Sequence, residues 1–112
     1  MSFQFIVIIE PQFAPNSQTT LFTQNAGQAV RIDSLSVCNT DSVAATISIN
    51  LVPSGGSAGA SNLTTKLQSI TAGQTWNSPN EIGKVLFMGD FISVICSTAS
   101  VASISAGGIV QA

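Results

Sequence analysis

Short β-branched runs, broken every few residues by glycine, proline, asparagine or serine, fill this chain, and nowhere does an apolar spacing of three and four residues persist. Val, Ile and Thr are stiff at χ1 and fit a pleated, half-buried surface better than a helix. Strand-length runs punctuated by turn residues are the pattern of an all-β chain. The expected strands cover residues 3–9, 19–23, 29–39, 45–52, 63–69, 84–87, 91–97 and 100–105, with a further one at 108–111. In 112 residues these make a single small β-sandwich or jelly-roll-like domain of about eight short antiparallel strands.

Three local patterns sharpen that reading. Ile47, Ile49 and Leu51 alternate with Thr46, Ser48 and Asn50, so one face of this strand is expected in the core and the other is polar. From Val30 and Ile32 the apolar phase shifts by one residue to Leu35 and Val37, which predicts a β-bulge at Asp33-Ser34. Met88-Gly89-Asp90 reads as a turn, with Gly89 free to take positive φ and Asp90 able to bond nearby backbone. Residues 53–62, rich in Gly, Ser and Ala, are expected to form a long flexible loop.

The N-terminal stretch is different. Phe5-Ile6-Val7-Ile8-Ile9 is apolar at both parities, so as a strand it must be covered on both faces, and Pro11 and Pro15 are expected to force an extended departure after it. It is either a central strand of its own sandwich or an extended N-terminal arm that docks on a neighbouring subunit. An arm is expected, with residues 1–18 as arm or first strand and 19–112 as the sandwich domain. Phe3, Phe5, Ile6, Val7, Ile8 and Ile9 are therefore the candidate interface residues.

Composition excludes much chemistry. The chain has no His and no Tyr, and its 7% charged residues amount to three basic and five acidic side chains. General acid–base catalysis and imidazole-based metal sites have no material to work with, so neither catalytic residues, cofactor nor metal is expected. Arg31, Lys66 and Lys84 stand far apart and the net charge is −2, which excludes the basic stretch that neutralises nucleic-acid phosphates. The most apolar segment is far short of the roughly 20 residues that span a bilayer and has no basic flank or cleavage site, so a soluble, unprocessed chain without membrane contact is expected. A surface of neutral hydroxyls and amides, where about 25–35% charge is usual, suggests a surface that ends up covered.

Individual motifs are weak against these exclusions. Gly55-Gly56-Ser57-Ala58-Gly59 fits the letters of a hydrolase nucleophile elbow, but that device needs a strand-to-helix turn and a His base. Cys38 and Cys96 sit in apolar runs and read as small, unbonded hydrophobes. Asp33, Asp41, Glu81 and Asp90 do not follow the alternating spacing of a calcium loop and are expected in turns and bulges. Trp76, in Gly73-Gln74-Thr75-Trp76-Asn77-Ser78-Pro79, is expected to cap the core or anchor an interface rather than serve as a sugar platform.

From Thr19 onward, a succession of short motifs resembles small virion proteins of tailed bacteriophages. The matching pieces include Thr20-Leu21-Phe22-Thr23, Ser34-Leu35-Ser36-Val37 and Leu51-Val52-Pro53-Ser54-Gly55-Gly56. They continue with Ala72-Gly73-Gln74-Thr75, Ile82-Gly83-Lys84-Val85-Leu86, Gly89-Asp90-Phe91-Ile92-Ser93 and Ser97-Thr98-Ala99-Ser100. The resemblance covers most of residues 19–106 and implies a β-sandwich structural subunit with no catalytic residues. The expectation is a non-enzymatic cement or decoration protein, made in the bacterial cytoplasm and carried on the virion. Its expected partners are the phage's major capsid protein and two further copies in a homotrimer. A tail or neck component, such as an adaptor or fibre-base subunit, is the alternative, and a host-polysaccharide-binding module using Trp76 and the 53–62 loop is the second.

Overall fold

The computed structural model describes residues 3–111. Nine strands are present: β1 (Phe3–Phe13), β2 (Thr19–Thr23), β3 (Val30–Asn39), β4 (Ala45–Val52), β5 (Leu63–Ile70), β6 (Thr75–Asn77), β7 (Val85–Leu86), β8 (Phe91–Cys96) and β9 (Ala102–Gln111). One sheet, called A, has the order β1-β9-β3-β6, with β7 also on β3, and the other, B, has the order β2-β8-β4-β5. Every pairing is antiparallel. The pairs β1·β9, β2·β8, β3·β6 and β4·β5 are the rungs of one long ribbon in which the first half of the chain meets the second in reverse order. Rolling that ribbon brings β9 against β3 and β8 against β4, which is the jelly-roll topology.

The core lies between the sheets and is aliphatic. Ile32 and Val37 of β3, Ile47 and Ile49 of β4, Ile92 and Val94 of β8 and Ile104 of β9 are all fully buried. The alternation in β4 places Ile47 and Ile49 inward as expected, but Ser48 and Asn50 on the opposite face are buried too. β4 is an interior strand, and other parts of the chain roof its outer side. The expected bulge is present, since Ile32 pairs with Gly108 and Ser34 with Gly107, leaving Asp33 as the extra residue. Gly89 has φ +92° and the Asp90 carboxylate accepts from the backbone N–H of Phe87 at 2.9 Å, so this turn forms as read.

Four expectations are corrected. The first strand does not leave after Ile9 but runs through Pro11 to Phe13, because an edge strand can hold a proline whose missing N–H would face away from the sheet. It pairs with β9 along its length, as the edge of its own sandwich. Met1 and Ser2 of the expected arm lie outside the described residues. Residues 100–105 and 108–111 are not two strands but parts of one, β9, which passes unbroken through Gly107-Gly108. A Cβ at position 108 would stand 2.5 Å from the Arg31 carbonyl oxygen and collide with Ile8, so glycine there marks close packing rather than a chain break. Finally, the 53–62 loop is hydrogen-bonded into place. Asn62 accepts from Gly59 N–H at 3.1 Å and donates to the Ser57 carbonyl at 3.0 Å, while Asn50 reaches out from β4 to Gly59 O and Asn62 Oδ1.

Candidate interaction surface

Antiparallel pairing sets cross-strand neighbours on one face of a sheet. Phe5 lies opposite Ile109, Ile109 opposite Arg31, and Arg31 opposite Val85. That row belongs to the outer face of sheet A, because the neighbouring residues Val30, Ile32 and Leu86 are buried in the core. Phe3 and Val7 share the face with Phe5 by period two. Phe3, Phe5 and Val7 are 67%, 85% and 62% exposed, and Val85 is exposed as well. Phe3, Phe5, Arg31, Val85 and Ile109 border an open groove of about 710 Å³ at this end of the sandwich. Since β7 runs antiparallel to β3 and ends opposite Val30, Phe87 and Met88 emerge at the same end, and both are exposed.

Six residues of the N-terminal stretch were expected to form the interface, and the structure separates them. Phe3, Phe5 and Val7 face out, Ile6 is half-buried against the core, and Ile8 and Ile9 are buried within it. Ile8 and Ile9 are thus corrected from interface to core. A bulge between Val7 and Ile9 shifts the phase, which is how two adjacent isoleucines both reach the interior. Trp76 is half-buried and packs against the core from β6, at the edge of sheet A opposite β1; it is not brought together with the phenylalanines. Val85, Phe87 and Met88 were missed by sequence reading because a two-residue strand carries no periodicity.

The opposite side of the sandwich has a feature of another kind. Glu81 is fully buried, not in an exposed turn as expected. Its Oε2 accepts from the hydroxyls of Thr64 at 2.6 Å and Thr65 at 2.7 Å, both on β5, and its Oε1 accepts from Ser78, just beyond β6. Asn80 fills the remaining capacity, donating its side-chain amide to Thr65 Oγ1 at 3.0 Å and its backbone N–H to Ser78 Oγ at 3.3 Å. A buried carboxylate without such donors would cost several kcal/mol. Here it joins the edge of sheet B to the edge of sheet A. The arrangement is a structural clasp between the two sheets.

The remaining candidates resolve simply. Ser57 is exposed in a loop followed by a single 3₁₀ turn, Ala60–Asn62, so the nucleophile-elbow geometry is not formed. Cys38 is half-buried, Cys96 is buried and both are free. Asp33 occupies the β3 bulge and Asp41 caps its own turn by accepting from Ser42 N–H at 2.8 Å. Among the described residues, no cluster of three metal-ligating side chains forms, no helix is long and apolar enough to cross a membrane, and no buried side-chain polar atom lacks a hydrogen-bond partner.

No protein-family model and no curated protein matches the sequence. Solved structures do. A chain from the structure of the infectious bursal disease virus Gx strain superposes with a TM-score of 0.55 at 17% identity, over 97% of this chain and 32% of that one. A chain from the crystal structure of the infectious bursal disease virus VP2 subviral particle has 17% identity over the same shares, with a TM-score of 0.49. The first likeness shows a shared fold. The present chain spans about a third of the length of those viral chains.

Proposed function

We propose that this protein is a non-enzymatic virion structural subunit that binds and stabilises the shell built by a phage's major capsid protein. The observation that carries the reading is the open groove bordered by Phe3, Phe5, Val85 and Ile109 at one end of sheet A, with Val7, Phe87 and Met88 exposed as well. Soluble monomers rarely leave large apolar patches uncovered, and patches of this kind mark contact with a partner. The fold shared with a chain of a virus structure, and the motifs shared with phage virion proteins, support a capsid as that partner. The chemistry agrees, since a chain without imidazole and with its one buried carboxylate committed to hydroxyls is suited to packing rather than to turnover. A polysaccharide platform finds no support, because the only Trp is half-buried on the core.

Copy number is the test. Virions from cells that produce this chain are purified, and the chain is quantified by gel densitometry and mass spectrometry against the major capsid protein. Hundreds of copies per particle are expected of a shell cement protein. A handful to a few dozen would move the protein to a tail or neck ring, and its absence from particles would end the virion reading.

A further inference from the structure

A sandwich of two open sheets has four edges, and each unguarded edge invites another strand. Three of them are guarded. β2 is only five residues long and bulged between Thr20 and Phe22. β6 and β7 are three and two residues long. β5 carries Lys66 and a bulge at which Leu67 takes φ +49°. The fourth, β1, is eleven residues long, and its guards begin after Val7: register shifts between Val7 and Ile9 and between Ile9 and Gln12, with Glu10 and Pro11. Residues 3–7 have no charge, no proline and no bulge, and among the described residues they pair only with β9.

We propose that residues 3–7 of β1 pair antiparallel with the same residues of a second copy, about a two-fold axis at Phe5, so that sheet A runs on from one subunit into the next. An antiparallel strand that pairs with itself is isologous, which requires two-fold symmetry in place of the three-fold expected from sequence resemblance alone. With Phe5 on the axis, Phe3 lies opposite Val7 of the partner on the outer face, and Gln4 opposite Ile6 on the inner. Every outer row is then aromatic with aromatic or aromatic with β-branched, the pairs that stabilise a sheet. No row sets like charges against each other. Stacking the same outer faces on one another would instead bring Arg31, in the middle of the patch, towards its own copy, so the edge is favoured over the face.

Phe3 and Phe5 are 67% and 85% exposed, and with about 200 Å² per aromatic side chain this leaves roughly 300 Å² of phenylalanine surface per copy. Edge pairing joins the strand backbones and covers the flanks of these side chains, and it leaves their outer faces open to a further partner. The inference does not depend on the capsid reading, because it concerns the isolated chain.

The test uses the full chain in solution. Sedimentation or light scattering over about 1 to 100 µM should give a dimer whose population follows mass action. Phe5→Lys sets two ammonium groups opposite each other on the axis and should weaken self-association at least roughly tenfold. Phe13→Lys, on the same strand but beyond Pro11, should leave it unchanged; far-ultraviolet circular dichroism checks that both variants fold. As a second reading, Phe5→Cys should form a covalent dimer with itself on oxidation, since opposed Cα atoms about 4.5–5.5 Å apart suit a disulfide, whereas Phe13→Cys should not. A monomer at the highest concentration, a trimer, or a dimer that survives Phe5→Lys and resists Phe5→Cys cross-linking would overturn the proposal.

Discussion

The two long sides of this sandwich are closed by opposite chemistry. On one side β5 and the chain after β6 are tied by Glu81, Thr64, Thr65 and Ser78, a polar cluster wholly satisfied from within. On the other, β1 ends sheet A with Ile8 and Ile9 buried but Phe3, Phe5 and Val7 in the open. The difference teaches where to look for function in a chain with so little chemistry. A polar group buried with all its partners supplies stability and specificity to the fold, whereas an apolar group left out of the core contributes nothing to the subunit alone and gains by association. Mutations on the two sides should therefore separate: those at the clasp change stability, and those at the open edge change assembly.

The clasp should give the largest effect. Glu81→Ala removes the acceptor for the hydroxyls of the buried Thr65 and Ser78 and of the half-buried Thr64 and leaves a cavity, so urea unfolding should show a loss of about 3 kcal/mol or more. Glu81→Gln keeps the volume but turns an amide N–H₂ towards a hydroxyl donor, and about half that loss is expected. A loss below about 1 kcal/mol for Glu81→Ala would mean that the hydroxyls find other partners and that this side is not held by the carboxylate.

Next comes the roof over sheet B. Asn50 donates to Gly59 O at 3.0 Å and to Asn62 Oδ1 at 2.7 Å, and is itself buried. Asn50→Ala should cost about 2 kcal/mol in the same assay. It should also raise proteolytic cleavage within residues 53–62, since the loop loses its anchor on β4. Unchanged cleavage would show that the bonds made by Asn62 suffice to hold the loop.

A smaller effect of opposite sign is expected on β5. Leu67 holds φ +49° while 62% exposed, a conformation that costs a non-glycine residue about 1 kcal/mol. Leu67→Gly should stabilise the fold by a few tenths to about 1 kcal/mol, provided that Ser48 Oγ still accepts from the N–H of residue 67, at 2.9 Å in the wild type. Destabilisation would mean that the leucine side chain contributes more than its exposure suggests.

Smallest of all is the stability effect at the open edge. Phe5→Ser should change the unfolding free energy of the monomer by no more than about 0.5 kcal/mol, although it removes the most exposed large hydrophobic of β1. A larger loss would place Phe5 in the fold's own support and erase the contrast between the two sides.

Much of the fold was legible because its signals are local. Strands 19–23 and 45–52 match to the residue, and the phase shift across Asp33-Ser34 gave the bulge, since each depends only on near neighbours. What was not legible depends on partners distant in sequence. Glu81 looked like a turn carboxylate because the hydroxyls that receive it are on β5, and only the rolled topology brings them near. The apolar run of β1 reads as needing cover on both faces, yet the bulge at Ile8 gives two isoleucines to the core and leaves the phenylalanines outside. Sequence showed that this segment was unusual, but not which half of it belonged to the core.

We propose that this subunit joins a virion through apolar contact rather than through charge. With three basic and five acidic residues, ion pairs have little to contribute, as exposed pairs are worth about 0–1 kcal/mol and salt weakens them further. The direct measurement is retention: virions carrying the protein are incubated in low salt and in about 1 M NaCl, where the Debye length is roughly 3 Å, then pelleted and the bound chain quantified. The same amount is expected in both pellets. Release of most of the protein in high salt would mean that charge holds it, and would contradict the assignment of the open aromatic surface as the binding face.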